Sequence, residues 1–136
     1  MDPRKFTEKS LLALEASQNE AIRRQNAQII GIHLLQALVA QENGLIPRLL
    51  EKMEIALPTF QMQLAQRLEA LPTFSGSSAT QVSGSGELNQ VLVNAEEESK
   101  KMKDSFISVE HLLLALVGEG KKGSAGRFLA DSGITK

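Results

Sequence analysis

The sequence predicts an all-α fold made of two pseudo-symmetric repeats, and three observations carry that prediction. One segment occurs twice: His33-Leu34-Leu35-Gln36-Ala37-Leu38-Val39 returns 78 residues later as His111-Leu112-Leu113-Leu114-Ala115-Leu116-Val117, with six of seven residues matching. The match spreads at the same offset, pairing Leu14 with Leu92, Glu20 with Glu98 and Ile29 with Ile107. After a one-residue insertion it pairs Gly44 with Gly123, Arg48 with Arg127, Leu50 with Leu129 and Ile55 with Ile134. Finally, the apolar spacing is helical almost everywhere. Self-similarity at a fixed period means that one supersecondary unit is used twice.

The elements follow in order. Thr7 is a plausible N-cap for a helix over roughly 8–25, with a stripe of Leu11, Leu14, Gln18, Ala21 and Ile22. Gly31 and the two residues on either side of it read as a turn, followed by a helix through Leu34, Leu35, Leu38 and Val39 that ends at Asn43-Gly44. Pro47 suits the first turn of a short helix over about 46–53. Pro58 opens a fourth helix with Phe60, Leu64, Leu68 and Leu71 on one face, and Pro72 follows its end. Residues 73–86 form a Ser/Gly-rich linker in which Phe74 and Val82 are the only large apolar side chains.

The second copy starts near Glu87 with a stripe of Leu88, Val91, Leu92, Ala95 and Met102. Ser108 caps the helix that carries the repeated segment, Gly118 to Gly126 reads as a loop, and a short helix covers about 126–132. The domain organisation is therefore repeat 1 at about 5–72, linker at about 73–86 and repeat 2 at about 87–136. The second copy ends at Lys136 before a counterpart of the 58–71 helix, so the natural polypeptide is expected to continue.

Composition narrows the function classes. A chain of 136 residues with 42% hydrophobic and 23% charged residues is one ordinary globular domain with a real core. A net charge of -1 with five Phe, no Tyr and no Trp supplies neither a basic footprint nor a stacking platform, so nucleic acid and anionic membrane are not expected partners. With no Cys there are no disulfides and no thiolate metal sites. The N-terminus lacks the apolar stretch of a signal peptide, and the expected compartment is the cytoplasm.

Catalytic motifs are missing. His33 and His111 are the only histidines; they occupy equivalent positions at the start of apolar helices and read as packing or capping residues. Gly118-Glu119-Gly120-Lys121-Lys122-Gly123-Ser124 fails as a phosphate loop, since Gly123 is followed by Ser124 and not by Lys-Ser/Thr. Glu96-Glu97-Glu98 ahead of Lys100, Lys101 and Lys103 reads as a solvated helix face with acids four residues before bases. The fragment is expected to be neither an enzyme nor a binder of any cofactor or metal.

Differences between twins point to a working surface. Gln36 becomes Leu114 and Ile32 becomes Glu110, four residues apart and so on one helix face, while Val93 stands where the first copy has Glu15. Apolar side chains beside a few acids suit unstructured polypeptide; Leu114 equally suits a filler of the second core.

Phe6-Thr7-Glu8-Lys9, the segment Phe106-Ile107-Ser108-Val109-Glu110-His111-Leu112-Leu113-Leu114-Ala115-Leu116 and the duplication itself resemble the N-terminal domain of Clp/Hsp100 chaperones, over essentially the whole chain. The Ser-rich linker and Lys103-Asp104-Ser105-Phe106-Ile107-Ser108 make it most similar to the ClpB disaggregase branch of that family. The resemblance implies the Clp N-terminal double-repeat fold, two four-helix-type repeats ahead of AAA+ modules that bind ATP and Mg and form a homohexamer working with an Hsp70 system. It implies capture of unfolded or aggregated clients by a monomeric domain with no activity of its own. It places client-handling positions at Thr7, Asp104 and Glu110, with Leu92 near an apolar groove between the repeats. Substrate-binding candidates are thus Thr7, Leu92, Val93, Asp104, Glu110 and Leu114. The three polar positions each have a plainer role: Thr7 as an N-cap, Asp104 as a loop brace, Glu110 as a first-turn acid. The alternative is an adaptor-docking domain of a ClpA- or ClpC-like unfoldase. Gly31-Ile32-His33 lacks the acid that the ClpC branch carries in both repeats, so a symmetric pair of phosphoarginine sites is not expected.

Overall fold

The computed structural model describes residues 2–73 and 83–134; Phe74 and Val82 lie outside them. Seven helices carry the described chain: α1 (Glu8–Arg23), α2 (Gly31–Ala40), α3 (Leu45–Lys52), α4 (Leu57–Glu69), α5 (Gly86–Lys101), α6 (Val109–Gly118) and α7 (Ser124–Asp131). The first repeat holds α1–α4 and the second α5–α7. Thr7 accepts the Ser10 N–H at 3.2 Å to start α1, and its twin Ser85 accepts the Leu88 N–H at 3.0 Å to start α5. Each such cap stabilises its helix by about 1 kcal/mol.

α2 and α6 are apolar nearly all round and occupy the middle. α2 packs on α1, α3, α4, α6 and α7, while α6 packs on α5, α7, α3 and α1. Leu34, Leu35, Leu38, Leu112 and Leu116 are fully buried between them and their neighbours. The pseudo-twofold relation extends to backbone detail. Gln25 and its twin Lys103 both take left-handed φ of 58° to end α1 and α5.

The repeats are stitched by two equivalent short β contacts. Phe6 bridges Ile107 in parallel, and β1 (Gln28–Ile29) pairs in parallel with β2 (Ser83–Gly84). Thr7 donates its N–H to the Ile107 carbonyl at 3.0 Å, and Ser85 donates to the Ile29 carbonyl at 3.0 Å. The opening segment of each repeat thus pairs with the strand-like segment before the central helix of the other.

Several boundaries differ from the sequence reading. Gly31 is the first residue of α2 and not a turn, and its missing side chain serves a close approach: a Cβ there would sit 3.2 Å from Glu87 Oε2 and 3.3 Å from Ala125 Cβ. α5 begins at Gly86, so the first helix of repeat 2 reaches into the stretch read as linker. The stretch read as a loop after Gly118 contains a 3-10 turn at Gly120–Lys122, and α7 begins at Ser124. Leu11 and Met102 are 37% and 50% exposed; the buried face of α1 is made by Ser10, Ala13, Ser17 and Ala21, small residues that let α2 approach closely. Glu96 pairs with Lys5 Nζ at 2.9 Å, tying the N-terminal segment to α5.

Candidate functional site

The two histidines show what the repeat needs structurally. Each is fully buried at the third position of its helix and accepts a backbone N–H on Nδ1: from Ile30 to His33 at 2.9 Å and from Ser108 to His111 at 2.9 Å. An amide can only donate, so Nδ1 carries a lone pair and Nε2 the proton. Nε2 of His33 then donates to Asn26 Oδ1 at 2.8 Å, and Nε2 of His111 to Asp104 Oδ2 at 2.8 Å. Burial pushes the His33 pKa down, which keeps that ring neutral.

The second copy has Ser108, His111 and Asp104 in hydrogen-bonding sequence, with Ser108 Oγ 3.0 Å from Nδ1. It resembles a hydrolase triad in composition and lacks its chemistry. Nδ1 is already engaged by the Ser108 N–H, the ring is 1% exposed, and Ser108 Oγ donates to Glu110 Oε1. A base whose lone pair is occupied cannot take the serine proton. His33 does the same backbone work in repeat 1, where Ile30 supplies no hydroxyl.

Thr7, Asp104 and Glu110 gather at one junction. Thr7 is bonded to Ile107, Asp104 braces His111, and Glu110 accepts from Ser108 one residue beyond Ile107. The plainer roles are therefore all present in the geometry. Asp104 stays about half exposed and Glu110 partly exposed, leaving both acids available at the surface. Phe106, beside the same junction, is 54% exposed, and Leu12 on α1 is 49% exposed.

On α6, Glu110, Leu114 and Val117 form a half-buried stripe. Leu92 is partly buried on α5, on the face it shares with Glu96 one turn on, while Val93 is 43% exposed and leaves that face. The six candidates are thus distributed over the junction and over α5 and α6, with Val93 set apart by direction.

A second cluster was not anticipated from sequence. Glu87, in the first turn of α5, accepts the Gly31 N–H at 2.6 Å, the Ser124 N–H at 2.7 Å and the Ser124 hydroxyl at 2.8 Å. One carboxylate therefore caps the N-termini of α2 and α7 and links the repeats. Ser124 Oγ in turn accepts the Ile32 N–H at 3.2 Å. Glu119 lies beside this clip, its carboxylate filling the space that a Gly123 Cβ would need. Burial, and then the Glu87 charge, push its pKa up to about 7. Among the described residues its Oε1 is the one buried side-chain oxygen without a partner. The twins Lys9, Leu45 and Gln41 cannot reproduce the clip, and that asymmetry was its sequence signal.

Among the described residues no group of three or more His, Asp or Glu is placed to hold a metal ion, and no helix is long and apolar enough to cross a membrane.

The architecture defines a two-repeat helical module whose halves are stitched by equivalent contacts. Residues 5–132 match the family of the Clp repeat (R) N-terminal domain, and the chain belongs to that family. It is 36% identical over 135 residues to the chaperone protein ClpB of Clostridium perfringens, with 95% of this chain aligned. It is 38% identical over 138 residues to the ClpB of Nitratidesulfovibrio vulgaris, with all of this chain aligned. In both cases the chain spans 16% of the relative's length. The fold is also that of the Hsp104 N-terminal domain from Candida albicans, with TM-score 0.81, 20% identity and coverage of 96% of this chain and 83% of that one. The N-terminal domain of ClpD from Arabidopsis thaliana superposes with TM-score 0.70 at 22% identity, covering 99% of this chain and 89% of that one. Within that family the chain is similar, over nearly all or all of its length, to part of these ClpB proteins.

Proposed function

We propose that this domain captures unfolded or aggregated polypeptide and passes it to the ATP-driven AAA+ ring of a longer, cytoplasmic ClpB-like disaggregase. ATP and Mg belong to that ring, a homohexamer cooperating with an Hsp70 system, while the domain itself only binds. The observation that supports the reading is the junction surface, where exposed Phe106 lies between the two surface acids Asp104 and Glu110 along the chain. Apolar side chains give affinity for exposed client segments, and the acids favour basic or amide-rich ones. Thr7 holds the junction in place through its bond to Ile107, and the partly buried Leu92 on α5 and Leu114 on α6 are further apolar candidates.

The test is an NMR titration of the labelled domain with a permanently unfolded client, wild type against Leu92→Ser and Glu110→Ala. Progressive shifts around Thr7, Asp104 and Glu110, weakened about tenfold or more in either variant, are expected. An absence of shifts at those residues sinks the reading, and retrieval of a small folded adaptor in place of unfolded chains would move the domain to the protease-unfoldase class.

A further inference from the structure

The two central helices end on twin residues of different chemistry. Gln41, the C-cap of α2, reaches the first turn of α1, where its Nε2 donates to the Lys9 carbonyl at 3.0 Å. Glu119, the C-cap of α6, is the twin of Gln41, and Glu87, in the first turn of α5, is the twin of Lys9. Glu119 lays its carboxylate over Gly123, in the space a Cβ would occupy, beside Glu87. The position that carries a donor in repeat 1 thus carries a carboxylate in repeat 2, and an ionised carboxylate only accepts. Its Oε1 is buried without a partner, at a helix end whose free carbonyls already disfavour negative charge.

Glu87 has room for one more donor. It accepts the Gly31 N–H, the Ser124 N–H and the Ser124 hydroxyl, three of the about four lone-pair directions that a carboxylate offers. Among the described residues Glu87 is the one charge that acts on Glu119. Lys121 and Lys122 in the turn after α6, and Arg127 on α7, are exposed. On the α2 side, burial keeps His33 neutral although the Glu87 charge reaches it.

We propose that Glu119 is a proton-operated latch on the joint between the repeats. Protonated, it donates its carboxyl O–H to the Glu87 carboxylate, making with a proton the kind of bond that Gln41 makes permanently in repeat 1. Ionised, it donates nothing, repels Glu87 and turns out to water. The turn has space for this, since a Cβ at Gly118 or Gly120 on either side would meet nothing within 4 Å. Glu87 holds α2 of one repeat and α7 of the other, so the latch sets how firmly the repeats are joined. Burial, and then the Glu87 charge, raise the Glu119 pKa from 4.5 to about 7, so the latch is closed on the acid side of neutrality and open on the alkaline side. The inference does not depend on client capture.

The test is NMR of the full chain between pH 5 and pH 8. The side-chain carboxyl carbons of Glu119 and Glu87 should shift together, with a midpoint near 7. Protection of the Gly31 and Ser124 amides against hydrogen exchange, corrected for the intrinsic rate at each pH, should fall about tenfold from pH 5 to pH 8. Glu119→Gln, a permanent donor, should keep both amides protected throughout. Glu119→Ala, uncharged but without a donor, should leave both poorly protected throughout. The pair of variants separates a latch from simple charge repulsion, under which alanine and glutamine would behave alike. Equal protection in the two variants overturns the proposal. So does a pH step that persists in Glu119→Gln, as a titrating histidine would produce, or a Glu119 carboxyl that titrates at the ordinary 4.5.

Discussion

Replacing Glu119 with Gln should stabilise the domain at neutral and alkaline pH and leave it unchanged near pH 5. In the folded state burial and the Glu87 charge hold the Glu119 pKa at about 7, against 4.5 for an ordinary glutamate. The folded form therefore binds a proton that the unfolded form has already released, and stability falls as pH rises between those two values. Above pH 7 the carboxylate is charged in both states and the full cost is present. The whole rise corresponds to roughly 3 kcal/mol at about 1.4 kcal/mol per pH unit. Glu119 is only partly buried, and solvent screening cuts this to about 1–2 kcal/mol. Gln keeps the shape, removes the charge and is the residue that repeat 1 carries at the twin position, Gln41. The assay is urea unfolding of both proteins at pH 5 and pH 8, read as the difference between them so that other carboxylates cancel. A wild type and variant with the same change in stability across that range would refute the reasoning.

Three further outcomes follow from the packing. Glu87→Ala strips the cap from two helices and loosens the repeats from each other, lowering urea stability by about 2–4 kcal/mol, partly offset by relief of Glu119; a loss below about 0.5 kcal/mol would mean the clip is not a joint. Gly126→Ala drives a Cβ into the Gly120 and Leu116 carbonyls, which cannot swing aside, and should cost about 2–4 kcal/mol by thermal unfolding. Gly123→Ala meets only the far end of the Glu119 side chain and should cost much less, so equal losses would contradict the packing account. Asn26→Asp gives His33 the carboxylate partner that His111 already has. The His33 imidazole titration, followed by nitrogen NMR, should move to higher pH, and an unmoved titration would break the argument.

The duplication was readable directly, and with it the fold class. Repeated apolar spacing sets which helices exist, because a stripe at helical period must be buried against something. The central position of α2 and α6 follows from the same reading, since their segments are apolar all round. Thr7 and Ser108 as caps and the histidines as packing residues were also legible, each from its place at a helix start. The limits of that reading are equally physical. Gly31 reads as a turn residue because glycine is permissive, yet its use here is to let α2 come within contact distance of Glu87 and Ala125, a requirement set by residues far along the chain.

The sequence by itself determined two copies of one helical unit, their core faces and the absence of catalytic motifs, all properties of local pattern. Tertiary structure decided how the copies meet: the paired β contacts at Phe6–Ile107 and Ile29–Gly84, the Glu87 clip and the partly buried Glu119 carboxylate beside it. Each depends on groups separated by tens of residues, whose energies arise only when folding brings a donor to a carboxylate or takes a carboxylate out of water. Lys52 and Asp131 look like ordinary surface charges along the chain. Only folding brings Asp131 within 3.2 Å of the Arg67 guanidinium.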